Sequence, residues 1–421
     1  MSLRITGVEV IPLQVPLAPR HDVHMQRLGG DWSLVEVWRI TTDAGVVGYG
    51  ETIAQYTWGR SPAELADAVQ GRNPFDLLWD GSFGAGLQMA LWDVAGRAAG
   101  VPCARLMGPA VREAAPLSWW CLDMDPDEWA TEAQLAVSRG YTSIKLKGRA
   151  WRDVFTQIEA VAKVAPSLEI DLDYNATLAN AGIAVSHLRE LEQFSNLKIV
   201  ESPIPQGDVA GNRHIRSHTR FAIAMHFGSP PIMTALDEDV CDGFVIGGGA
   251  KQVLAEATIA EQANKPFWLQ LVGTGLTTAW AMQLGAVCTH AQWPAVTCMN
   301  IYSDDLITEP LQVERGYVRV PQGPGLGVEV DEGALEKHRL DSLNQAKPRS
   351  RKLYVMTWPS ADGRPDRVGT VAGTETDLHR EAEHGNIPRF VRGSRFEQRS
   401  DDGSPEFDRS YRAATGRMTL A

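Results

Sequence analysis

The sequence predicts an α/β protein: a TIM-type (β/α) barrel with an N-terminal α+β capping domain and a C-terminal extension. Two rhythms predict it. From about residue 117 to 315, short apolar runs alternate with amphipathic stretches in roughly eight strand-then-helix units, the order of a parallel barrel. Before that, three strand-like runs precede one long helical pattern, an α+β order. The implied boundaries are 1–115 for the cap, 116–315 for the barrel, 316–340 for a return segment packing on the cap, and 341–421 for an extension of unknown role.

In the cap, Ile5 to Val15, Ser33 to Thr41 and Val46 to Glu51 read as strands, the last two joined by the turn Asp43-Ala44-Gly45. Leu87, Ala90, Leu91, Val94 and Ala98 recur at helical spacing, and Gly100 with Pro102 ends the run. Barrel strands are expected at Leu117–Cys121, Thr142–Lys147, Glu169–Tyr174, Lys198–Val200, Ala222–Met225, Gly243–Ile246 and Pro266–Leu271, with the last near Leu306. Helical stretches such as Pro126–Ser138, Arg152–Ala165 and Ala250–Ala263 separate them. Beyond about 341 the chain turns basic at Lys347–Lys352, offers one strand at Leu353–Trp358, and is then rich in Arg, Asp, Glu, Gly and Ser.

Composition narrows the function. A net charge of −12 over 421 residues argues against nucleic acid or an anionic membrane as partner, while leaving room for a small anionic substrate at a local lysine cluster. Five cysteines without C-x-x-C spacing favour reduced thiols and a cytoplasmic protein. No signal peptide and no membrane-length apolar run is visible.

The chemistry starts at Ser143-Ile144-Lys145-Leu146-Lys147-Gly148. Side chains alternate along a strand, so Lys145 and Lys147 share a face, away from Ile144 and Leu146. Alone, a K-x-K reads as a solvated edge, because buried lysine is rare. The next strands change that balance. Asp173 and Asn175 end the third, Glu201 the fourth and His226 the fifth, so polar groups at successive strand ends converge as a metal or anion site requires.

At this point the chain resembles the enolase superfamily, mandelate racemase/muconate lactonizing enzyme type, over about residues 3–340. The markers are Thr42–Gly48 with Gly50-Glu51, Met89–Gly96 with Gly100-Val101-Pro102, Ile144–Gly148, Asp173-Tyr174-Asn175, Val200–Pro203, Glu309-Pro310 and Pro324–Gly327. The resemblance implies removal of a proton α to a carboxylate, with a divalent ion, Mg²⁺ above all, stabilising the enediolate. It places Asp173 and Glu201 as metal ligands with His226 at the third position, and Lys147 as base. Lys145 polarises the carboxylate and lowers its neighbour's pKa. Glu309 is the eighth-strand acid and Asn175 a substrate contact. The cap loops, with His24, Tyr56, Trp58 and Arg60, would recognise substrate, and a homo-oligomer is implied.

Three departures refine the expectation. His226 stands where the resemblance calls for a carboxylate, which opens the site to Mn²⁺, Fe²⁺ or Zn²⁺. Gln270 takes the seventh-strand position of a histidine base, and glutamine has no useful proton chemistry. The sixth strand runs into Gly247-Gly248-Gly249 and lacks both an orienting aspartate and a catalytic lysine. One base then remains, which disfavours racemisation. The expected function is an acid-sugar dehydratase, a lyase using Lys147. The alternatives are a one-base cycloisomerase acting on a lactone or muconate-like acid, and a catalytically silent member of the superfamily.

Overall fold

A computed structural model describes residues 3–56, 60–346, 348–360 and 364–420. Trp58 lies outside the described residues. The cap sheet is antiparallel, with β1 (Ile5–Gln14), β2 (Leu34–Thr42) and β3 (Val47–Ile53) side by side. Helix α1 (Pro19–Met25) lies in the β1–β2 connection, and α2 (Leu65–Val69), α3 (Ala85–Ala99) and α4 (Cys103–Met107) follow. Helix α3 rests directly on β3. A Cβ on Gly50 would sit 2.2 Å from the Gly86 carbonyl oxygen, so glycine is what allows the close approach.

A short strand, β4 (Ala114–Pro116), leads into seven parallel strands that neighbour one another in sequence order. They are β5 (Trp119–Cys121), β6 (Ser143–Lys147), β7 (Glu169–Asp173), β8 (Leu197–Glu201), β9 (Ala222–His226), β10 (Gly243–Ile246) and β11 (Phe267–Leu269). Helices α5 (Pro126–Ser138), α6 (Val154–Val164), α7 (Ala181–Leu191), α8 (Val209–His218), α9 (Ile232–Asp237), α10 (Ala250–Gln262) and α11 (Gly275–Val287) follow them in turn. Among the described residues no helix is long and apolar enough to cross a membrane.

The eighth position corrects the sequence expectation. Ala295 bridges Leu117 and Val296 bridges Gln270, both in parallel sense, so residues 295–296 close the barrel rather than a strand near Leu306. After Cys298 the chain turns away. Ile307 pairs antiparallel with Val330, next to α12 (Glu332–His338), which packs on β1. Strand β12 (Val313–Glu314) pairs with β13 (Tyr317–Arg319), and β13 pairs with β4, ahead of the first barrel strand.

Residues past 350 form an antiparallel sheet of β14 (Lys352–Trp358), β15 (Arg367–Ala372), β16 (Arg395–Ser400) and β17 (Thr419–Leu420), in the order β16-β14-β15-β17. Helices α13 (Glu375–Glu383) and α14 (Pro405–Ala414) complete it. This module docks on the loops that follow β6 and β7. Phe390 stacks near His187, with ring centroids 4.5 Å apart, and its amide donates to the Ala150 carbonyl at 2.8 Å. Buried charge crosses the seam. Arg149, two residues past Lys147, donates from Nε to Glu375 Oε1 at 2.6 Å, and both side chains are buried. Burial alone would raise the Glu375 carboxyl, but Arg149 with His379 and Arg27 holds it well below the usual range.

That pair is cooperative with the fold only if both partners stay. Glu375→Ala leaves a buried guanidinium unpaired and is expected to cost about 3–5 kcal/mol, read from denaturant unfolding, whereas replacing both partners with apolar residues recovers most of it. The Glu375 contribution is present above pH 4.5, its unperturbed value, and is lost as the pH falls below it.

Candidate active site

Strand register builds the site. Lys145 lies opposite Asp171 and Lys147 opposite Asp173 across β6–β7. Asp173 lies opposite Glu201 across β7–β8, and Glu201 opposite Ala224, two residues before His226. The period of two therefore puts Lys145, Lys147, Asp171, Asp173, Glu201 and His226 on the barrel's inner face.

Lys145 is the centre of this group. Its side chain is buried, its ammonium donates to Glu201 Oε2, and Gln270 Oε1 accepts at 2.9 Å. Asp171 and Asp173 carboxylate oxygens each lie 3.9 Å away. The Trp268 ring supplies a π face 4.7 Å from the nitrogen. Burial alone would lower the Lys145 pKa, but Glu201, Asp171 and Asp173 outweigh it and hold it above the ordinary lysine value. Lys147 donates to Asp173 Oδ2 and, at 3.2 Å, to Asn175 Oδ1, so Asn175 touches the candidate base.

The acids divide. Burial tends to raise Glu201, yet Lys145, His226 and Lys147 hold it well below the carboxylate range. Asp171 goes the other way: burial lifts it well above the usual value, with Glu201 and Asp173 adding repulsion, and its Oδ1 has no partner. Sequence reasoning missed Asp171. The signal was present, since a residue two before Asp173 on one strand must share its face. Trp268 and Cys298 were also missed. Cys298 is buried at a left-handed φ of 59°, and burial lifts its thiol to about 12 against the opposing charges of Lys145 and Lys147.

The donor set fits a divalent cation. Glu201 Oε1 is buried without a hydrogen bond, and His226 Nε2 stands 3.2 Å from it. Asp173 is next along the ring of strand ends. Two carboxylates and one imidazole form a mixed set that suits Mn²⁺, Fe²⁺ or Zn²⁺ better than an all-oxygen site would. A second tight group, His21, Cys121 and Glu132, lies between α1, β5 and α5. There Glu132 already receives Arg20 and the Trp119 indole N–H, so it serves as packing at the seam.

Other expected residues part company with the site. Glu309 is exposed and lies beside Glu113, Tyr317 and Arg319, on the β4 and β13 side where the barrel strands begin. It is not an eighth-strand acid, because the chain has already left the barrel at Cys298. His24 is buried against α5, its ring nitrogens 3.0 Å from Glu128 and 3.1 Å from Arg27 Nη1, so it is not free for substrate. Arg60 is committed to Glu36, Nε to Oε2 at 2.6 Å. Tyr56 remains at the mouth: it packs edge-on to Trp32 and lines a cavity of about 450 Å³ with His226, Gln270, Gln88, Gln252 and Glu256.

The comparisons agree with the fold. Residues 128–334 match the model of the "Enolase C-terminal domain-like" family. D-gluconate dehydratase of Thermoproteus tenax is 28% identical over 72% of this chain and 69% of its own. The N-succinyl-L-Arg/Lys racemase of Bacillus cereus is 24% identical over 80% and 98%. A solved enolase of Mycobacterium smegmatis complexed with tartrate superposes with a TM-score of 0.66 at 25% identity, covering 80% of this chain and 91% of its own. Residues 128–334 thus belong to the enolase superfamily, and the chain is similar to members of its mandelate racemase/muconate lactonizing type. Superfamily relatives are enzymes, among them dehydratases, racemases and cycloisomerases, and members use a divalent metal, typically Mg²⁺.

If His226 is a ligand, His226→Asp shifts ion preference: Mg²⁺ affinity should rise by about tenfold relative to Mn²⁺ or Zn²⁺ in calorimetric titration, because an anionic oxygen replaces a nitrogen donor.

Proposed function

We propose that this enolase-superfamily chain is a hydro-lyase: Lys147 removes the proton α to a carboxylate, and an acid sugar is dehydrated. One observation carries the reading. Two inward lysines flank the candidate ligands Asp173 and Glu201, while the seventh-strand position holds Gln270, whose Oε1 accepts from Lys145. Base chemistry is thereby confined to one face of the substrate carbon.

Each residue then has a job. Lys145, a buried cation, meets charge that develops on the reacting carboxylate. Lys147, less buried than Lys145, reaches the α-carbon, and Asn175 Oδ1 orients its nitrogen. Lys147 Nζ takes the α-proton, the C–O bond to the β-hydroxyl breaks, and the same nitrogen returns the proton to that departing oxygen as water. The enol product tautomerises to a 2-keto acid. A divalent cation held by Asp173, Glu201 and His226 would stabilise the enediolate charge. The relatives named D-gluconate, D-galactonate and D-xylonate dehydratase support this class of substrate. A homo-oligomer in the cytoplasm belongs to the same reading.

A one-base cycloisomerase is the second reading. It is favoured by the absence of an acid at Gln270 and along residues 295–298, since a lactone leaves as a stabilised carboxylate and needs no proton. Product analysis separates the two: 2-keto acid for the dehydratase, ring-opened or ring-closed isomer for the other.

Lys147→Ala should lower turnover by about 10²–10⁴-fold and abolish exchange of substrate α-protons in deuterated solvent, followed by NMR, while metal binding persists. Retained exchange refutes the one-base scheme. A native chain that neither exchanges α-protons nor binds a divalent ion is catalytically silent.

A further inference from the structure

The cavity beside the site ends on a wall whose charge is unusual for an enzyme of acids. Past β10, Gly247, Gly248 and Gly249 carry no side chains, and the first two turns of α10 line the space instead. Gly248 is held at φ +116°, and a Cβ there would meet the Gln252 amide oxygen at 2.5 Å. Glycine keeps the wall open to α10.

Gln252 and Glu256 supply that wall. Gln252 Nε2 donates to Glu256 Oε1 at 2.9 Å. Glu256 is half-buried; burial lifts its carboxyl above the usual range, opposed only by Gln252, and among the described residues no cation pairs with it. No lysine or arginine among the described residues lines this cavity. Lys145 and Lys147 stand at the strand ends beside Glu201 and Asp173, outside the lining of this cavity.

We propose that the α10 wall sets the far end of the substrate: the site accepts a polyhydroxylated monocarboxylate, an aldonate, and rejects the dicarboxylate of the same chain length. The proposal rests on the acid-sugar reading above. A substrate whose carboxylate lies against Lys145 points its other end into the cavity. Hydroxyls there donate to Glu256 and Gln252 at little cost. A second carboxylate instead faces Glu256, like charge to like charge, in a half-buried place with no lysine or arginine among the described lining residues. At separations of about 6 Å and an effective dielectric near 20, that repulsion is worth roughly 10- to 100-fold in kcat/KM. Repulsive elements of this kind are a common source of specificity. The bland alternative is a solvated Gln–Glu pair at i,i+4 on a helix face, which would leave selectivity untouched.

The test uses the full chain with Mg²⁺ or Mn²⁺, five- and six-carbon aldonates with their matching aldarates, and quantitation of 2-keto product. The native chain should dehydrate aldonates with a kcat/KM at least tenfold above that for aldarates. Glu256→Gln should raise the aldarate-to-aldonate ratio by about tenfold, and Gln252→Arg, which places a cation on the same wall, should raise it as well. Aldarates turned over as readily as aldonates, or a ratio unmoved by Glu256→Gln, overturns the proposal and leaves the dehydratase reading standing. No 2-keto product from any of these acids overturns that reading and this proposal with it.

Discussion

The site depends on one buried cation. Lys145 sits in the barrel interior with Glu201, Asp171, Asp173 and Gln270 around it and the Trp268 ring beneath. An isolated ammonium there would be expelled or neutral. Surrounded by carboxylates it stays charged, and in turn it keeps Glu201 ionised while Asp171 is driven towards its neutral form. The strand ends are thus electrostatically poised before any substrate arrives. Removing Lys145 would leave three inward carboxylates to share one lysine, a much costlier arrangement.

The departures from the superfamily pattern act together on this centre. Gln270 replaces a seventh-strand base and accepts a hydrogen bond from Lys145, so that face offers no proton acceptor. His226 stands beside Glu201 as a softer donor. Residues 295–298 close the barrel without adding an acid. Lys147 stands on the β6–β7 side, against Asp173 and Asn175. The C-terminal module supports the same side: Glu375 neutralises Arg149 and Phe390 packs on Tyr174 and His187, so α13 and the connection after it, outside the matched family segment, hold the region after β6 and β7.

Much of this was legible in the chain. Period-two alternation put Lys145 and Lys147 on one face, and the strand-helix rhythm placed Asp173, Glu201 and His226 at successive strand ends. The same alternation places Asp171 on that face as well, although Asp173 alone satisfies the motif. The eighth strand was harder. Its stretch, Pro294–Cys298, is too short to stand out beside the more apolar run at Leu306-Ile307, and that run points to Glu309 instead. Loop residues were less legible still. His24 and Arg60 look like recognition groups in sequence, but partners more than 20 positions away, Glu128 and Glu36, claim them.

Sequence alone determined the α/β class, the inward K-x-K and the acidic strand ends, because local periodicity dictates which face each side chain takes. Tertiary structure decided which charges meet. The pairing of Lys145 with Glu201, the closure by residues 295–296 and the meeting of Tyr56, His226 and Glu256 at one cavity all join residues far apart in the chain. Distances between such groups follow from packing, and no local pattern encodes them.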